Sequence, residues 1–500
     1  MRYIDYAPLT PPQQNSRSVH PLGFSSLHSS DDKEQSQRSP SLQHNRMNNS
    51  FLEYFKCPDR YAQLAIKGQL SQTNGYFRFG PGNLCYGRLS GCRNGSHVGT
   101  IHDVAGEVTV ERGTVTLPFD MQEIIENLQR EQYPSSGRNE RSLKQSILAA
   151  AYYSVRPILP VSVRKHLQRV HLKGWDQIPF PRWPVDRTVN ELSELLMMYE
   201  LKAQQAERLP FIWFWPDGAS SAAIMTHDVE TTAGRDFCAT VMDIDDAYDI
   251  KASFQVVPEQ RYQVTQDYLN SITDRGFEVA VQDLNHDGRL YKNREQFLDR
   301  VVKINSYRRK WGANGFRAAV LYRREEWFAD LDFSYDMSIP NVAHLDPQRG
   351  GCCTVMPYFM GNLLELPVTT IQDYSLFHIL QEYKIDLWKT QIELIMEKHG
   401  LLSFIIHPDY VIGAPERKVY EELLSHLAGL RRDRDVWIET PGEVNRWWRQ
   451  RSGMKIVEDK EGTRIEGEGS ERARIAYASE VDGRLALAVE PRSQAGGHER

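Results

Sequence analysis

At 500 residues, with 40% hydrophobic and 25% charged residues, the chain is long enough for more than one soluble core. A net charge of −6 gives no basic footprint, so nucleic acid is excluded as the expected partner. The most apolar stretch, 147–163, is broken by Arg156, Pro157 and Pro160, which excludes a membrane span.

Residues 1–50 are rich in Ser, Gln, Asn and Pro and too poor in aliphatics to offset ordering entropy, so a disordered segment is expected. No basic and apolar leader pattern opens the sequence, and Cys57, Cys85, Cys92, Cys238, Cys352 and Cys353 have no finger spacing. Reduced thiols and a cytoplasmic location are the expectation. Residues 51–205 read as a smaller α+β domain. Within it, 108–117 alternates and turns at Arg112 and Gly113, a hairpin signal, and 75–79 is a further strand. Residues 133–138 read as a loop, 143–153 as a helix, and a helix with Leu192, Leu195, Leu196 and Tyr199 on one face spans 189–205.

From 206 to 451 short apolar runs alternate with longer amphipathic ones. The strand candidates are 222–226, 252–257, 277–281, 315–318, 333–336, 363–366, 402–406 and 436–439. Between them, Asn293 is a fit helix cap with Gln296 three residues on, and Phe297, Val301 and Ile304 form a stripe that Gly312 stops. Ile385, Trp388, Ile392 and Ile395 repeat the pattern. Such alternation predicts a parallel sheet with helical crossovers, closed into a barrel, with a doubly wound sheet as the alternative. Residues 452–500 read as a charged link, a small β appendage and a frayed end.

Polar residues recur where these strands end. Asp228 and Glu230 follow the first, His286 and Asp287 the third; Arg317 sits in the fourth, Asp336 ends the fifth, Glu365 lies in the sixth and His407 follows the seventh. In a barrel those ends share one mouth, and acids, imidazoles and an arginine there suit metal-assisted hydrolysis or acid–base chemistry. Each taken singly is equally a helix cap, a turn residue or a satisfied core side chain. Trp213, Phe214 and Trp215 before the first strand form an aromatic run that suits sugar stacking, or a seam between domains.

Over roughly 211–451 the chain resembles the polysaccharide deacetylases of the carbohydrate-esterase-four (NodB-homology) type. Five motifs carry the resemblance in order: Thr226 to Glu230, Gln282 to His286, Arg317 to Ala319, Asp336 to Ser338, and Phe404 to His407. The resemblance implies a distorted (β/α)7 barrel of the glycoside hydrolase/deacetylase type. It also implies a divalent metal, usually zinc, that polarises the acetyl carbonyl of an N-acetylated or otherwise acylated glycan. On that pattern Asp228 is the base, His407 the acid, and Arg317 and Asp336 their supports. His286 is a metal ligand, Glu230 replaces the acid lost at Val229, and Gln282 stands where the family has a histidine. An amide oxygen is a much poorer zinc donor than imidazole. Trp215 and Glu365 are the expected substrate contacts. The rival expectations are a degenerate deacetylase fold that binds glycan or serves as a scaffold, and a metal-independent glycosidase using Asp228 with another mouth carboxylate such as Asp336 or Glu365.

Overall fold

The computed structural model describes residues 50–61, 63–91, 101–134, 170, 172–460 and 462–490. The expected disordered segment (all but Ser50), the 143–153 helix, Cys92 and most of the expected frayed end lie outside them. Strand β1 (Ser221–Val229) is buried at all nine positions, as a strand covered on both faces must be. Beside it run β2 (Ala252–Val256), β3 (Glu278–Gln282), β4 (Gly315–Arg317), β5 (Tyr335–Asp336), β6 (Leu363–Glu365) and β7 (Leu401–Ile406). All pair in parallel in the order β6-β5-β4-β3-β2-β1-β7. A short β8 (Val436–Ile438) joins the start of β1.

The crossovers carry the expected helices. Thr231 caps α1 (Thr232–Ala247), accepting from Gly234 N at 3.0 Å, and Thr265 caps α2 (Gln266–Thr273). Asn293 caps α3 (Arg294–Trp311) through Gln296 N at 2.9 Å, and Gly312 ends it in the left-handed region at φ 66°, as the sequence predicts. Helices α4 (Asp386–Met396) and α5 (Ala414–Arg434) bury Trp388, Ile392, Leu423 and Leu427 against the sheet, and α6 (Pro441–Gly453) follows β8.

The sheet curls. Arg317 on β4 bonds Thr226 and Asp228 on β1, three strands away, although flat strands at ~4.8 Å spacing would separate them by roughly 14 Å. Closure by strand pairing, however, is missing among the described residues. The edge of β6 turned away from β5 is taken by an antiparallel strand, Tyr358–Met360, so β7 cannot pair there. Side chains bridge the seam instead: Thr369 Oγ1 donates to Leu401 O at 2.7 Å and accepts from Ser403 N at 2.9 Å, and Thr370 Oγ1 donates to Ser403 O at 2.7 Å. The expected barrel is thus an open, distorted one.

The flanking segments have strands where expected. Thr109–Glu111 and Thr114–Leu117 form the hairpin, with Gly113 at φ 81°, and the helix is Thr188–Gln204. At the other end Ile475–Val481 pairs with Arg484–Val489 and also with Arg208–Ile212, just ahead of β1. The described residues fall within one compact unit. One apolar cluster runs from Phe51 and Phe55 through Phe211 and Ile224 to Trp447. The fully buried Arg451 ties the parts, donating to Ile212 O, Trp213 O and Tyr54 O at 2.8–2.9 Å. Cys57, Cys85, Cys238, Cys352 and Cys353 are buried and unpaired. No helix among the described residues is long and apolar enough to cross a membrane.

Candidate functional site

Alternation along β1 sorts its polar residues by face. His227 points outward to Asp245, with Nε2 2.9 Å from its carboxylate, and Val229 packs in the apolar layer beneath the helices. Thr226 and Asp228 face the barrel interior, and Glu230, two residues on, joins them at the mouth. Position 229 is therefore a core position here, which accounts for a valine, and the second acid has moved one residue downstream.

The mouth is organised around one atom, Glu230 Oε1. His286 Nε2 lies 2.7 Å from it, Gln282 Nε2 3.2 Å and His407 Nε2 3.5 Å. Gln282 Nε2 also donates to Asp228 Oδ2 at 3.1 Å, and Arg317 Nη1 donates to Asp228 Oδ1 at 2.6 Å and to Thr226 Oγ1 at 2.8 Å. One donor atom each from Asp228, Glu230 and His407 falls within 4.8 Å of the others. Asp228, Glu230, Gln282, His286, Arg317 and His407, drawn from four strand ends, thus converge. All are buried except Glu230, which keeps 19% of its side chain exposed and marks the opening to solvent.

Burial would raise the Glu230 carboxyl, but His286 and His407 outweigh it and hold Glu230 well below the usual carboxylate range. Burial likewise opposes charge on His407. The Asp373 carboxylate, 2.7 Å from Nδ1, and Glu230 together hold His407 well above the usual imidazole range. His407 Nε2 faces the cluster, 3.5 Å from Glu230 Oε1.

Three expected site residues lie elsewhere. Asp336 does not support His407. It accepts from Ser338 N at 2.9 Å and Ser338 Oγ at 2.8 Å, fully buried, and the acid that holds His407 is Asp373, on the loop after β6. Glu365 sits beside Asp336 in register and accepts from Ile339 N at 3.0 Å. It is fully buried, and burial, with Asp336 adjacent, raises it well above the carboxylate range, in the interior and away from any exposed surface. Trp215 lies just before β1, at the end remote from the mouth, fully buried against Trp437 and Trp448, and donates to His399 O at 2.6 Å. The aromatic run is a seam. Trp215→Phe should cost about 1–3 kcal/mol of stability in chemical denaturation through the lost hydrogen bond and volume, with KM for any substrate unchanged. A KM that rises with unaltered stability would return Trp215 to the site.

Two groups had not been singled out. Asp373 is one. Arg261, on the loop after β2, is the other: its Nη2 donates to His286 Nδ1 at 3.0 Å and His286 O at 2.6 Å. Tyr410 packs its ring 4.6 Å from that of His407.

The zinc set implied by the resemblance is Glu230, His286 and Gln282. These side chains meet, but two of the three present hydrogen donors to the third. Gln282 gives its amide nitrogen to both acids, and the nitrogen of His286 facing Glu230 carries a proton because an arginine donates to the other one. As placed, this trio does not fit zinc, whereas Asp228, Glu230 and His407 offer three ligand atoms within 4.8 Å of one another that could hold a metal ion.

No family model matches the chain, and no curated protein does. Among solved structures it is similar to a Mycobacterium smegmatis protein described as a polysaccharide deacetylase, at 16% identity over 48% of this chain and 93% of that one, TM-score 0.39. It is also similar to the PuuE allantoinase, at 12% identity over 47% and 92%, TM-score 0.39. A third is a carbohydrate-esterase-four family pseudoenzyme from Bacillus anthracis, at 14% identity over 45% and 65%, TM-score 0.29.

Proposed function

We propose that the barrel mouth is an acid–base hydrolytic centre of the polysaccharide-deacetylase kind, which removes an acyl group from a sugar. The observation that carries this reading is the placement of Asp228 and His407 within 4.8 Å of each other around Glu230, each backed by its own partner. Asp228, oriented by Arg317 and Gln282, takes a proton from water as the water oxygen bonds to the acyl carbon. His407 gives its Nε2 proton to the amine nitrogen as the carbon–nitrogen bond breaks, and Asp373 stabilises the imidazolium until then. The proton on Asp228 returns to His407 through solvent, which restores both groups. Glu230 keeps the imidazolium charged while the site waits.

A silent glycan-binding site is the second reading, favoured by one observation: both oxygens of Asp228 are already engaged, by Arg317 and by Gln282. The glycosidase reading would have to pair Asp228 with Glu230, since Asp336 and Glu365 are buried in the interior. Acetate release from a panel of N- and O-acetylated oligosaccharides separates the rest. Turnover of any member supports the hydrolase; binding of a member without release leaves only the second reading.

A further inference from the structure

We infer that Arg261 keeps His286 from ligating any metal at this mouth, by fixing the proton of His286 on the nitrogen a metal would need, which leaves Asp228, Glu230 and His407 as the side chains a cation could use. A guanidinium has donors and no acceptor, so His286 Nδ1, 3.0 Å from Arg261 Nη2, must be the accepting nitrogen. The proton of the neutral ring is then on Nε2, and Nε2 faces Glu230 Oε1 at 2.7 Å. The same guanidinium nitrogen bonds the His286 carbonyl at 2.6 Å, and His286 sits in the left-handed region at φ 54°, so ring and backbone are held by one group.

A histidine that ligates a metal has the opposite polarity: its free nitrogen bears the lone pair, and the other N–H donates to a carboxylate or carbonyl. The site contains that arrangement for comparison. His407 has Nδ1 on Asp373 Oδ1 at 2.7 Å, a carboxylate-backed imidazole, whereas His286 is arginine-backed. Gln282 as placed offers no ligand either, because its amide nitrogen lies 3.1 Å from Asp228 Oδ2 and 3.2 Å from Glu230 Oε1, between the two acids. Turning the amide over would set its oxygen against two carboxylates. A histidine at position 282 would therefore be insufficient to bring His286 into a zinc site while Arg261 remains.

The inference rests on the mouth being the functional centre, but its readouts need no substrate, so an inert protein would overturn the hydrolase reading alone. Zinc affinity of the full-length chain is measured by competition with a chromophoric chelator for the parent, Gln282→His, Arg261→Glu and the double variant. Arg261→Glu replaces the donor behind Nδ1 by an acceptor. The double variant should bind zinc about 10–100-fold more tightly than Gln282→His alone, the range over which such backing groups act. A double variant that binds no better than Gln282→His overturns the inference. If a variant fails to fold, the parent still decides: ¹⁵N-histidine NMR, with His286 identified by its loss in His286→Gln, should show Nε2 protonated and Nδ1 bare, unmoved by one equivalent of zinc. A proton on Nδ1 would overturn it.

Discussion

Asp228→Asn is expected to lower kcat/KM on a hydrolysed sugar by about 10²–10⁴-fold, the usual contribution of a positioned general base. The amide retains the shape of the carboxylate and can still accept from Arg317, but it cannot take the proton of the attacking water. The change also leaves the fully buried Arg317 facing a neutral group, and uncompensated buried charge is costly, on the order of 3–5 kcal/mol. The unfolding midpoint reports that cost apart from turnover. A folded variant with parental turnover would remove Asp228 from the chemistry.

The second large effect is expected at Asp373. Its Oδ1 holds His407 Nδ1 and its Oδ2 accepts from His407 N, both at 2.7 Å. In the parent, His407 stays protonated well above the usual imidazole range, so the alkaline limb of the kcat/KM profile should lie above neutrality. Asp373→Asn removes the negative charge, and the limb should move down by about 1–3 pH units, with turnover at pH 8 falling in step. Stability follows the same linkage. A folded-state value above the unfolded one stabilises the protein below the unfolded value near 6.5, and that stabilisation is lost as pH rises through the folded value. The parent should therefore lose stability on going alkaline through that range, and the variant should lose less. A profile whose limb stays in place in Asp373→Asn would show that His407 is not the acid.

Much of the barrel was legible because each strand is a short apolar run and the helices between them carry stop and start residues such as Asn293 and Gly312. The open seam was not, since it depends on Tyr358–Met360, a strand of three residues with no alternation to betray it. In the site, Asp228 and Glu230 were legible because a spacing of two puts both on one face of β1. Asp336 is legible because it ends a recognisable strand, while Asp373 lies on a loop that tertiary contacts, among them the bonds of Thr369 and Thr370 to β7, bring beneath His407. Arg261 carries no local signal: it is an exposed loop arginine until the fold sets it on His286. Trp215 shows the converse, an aromatic that sequence alone cannot assign to surface or seam.

That Asp228 and His407 act as one unit across the Glu230 cluster is tested most directly by a double-mutant cycle on acetate release, with Asp228→Asn, His407→Gln and the two combined. Groups that serve the same transition state are strongly non-additive. The double variant should be no slower than the worse single one, within a few-fold. Effects that multiply, so that the double loses the product of the two single losses, would mean that the two residues act independently and that the mouth is not the joint acid–base centre proposed here.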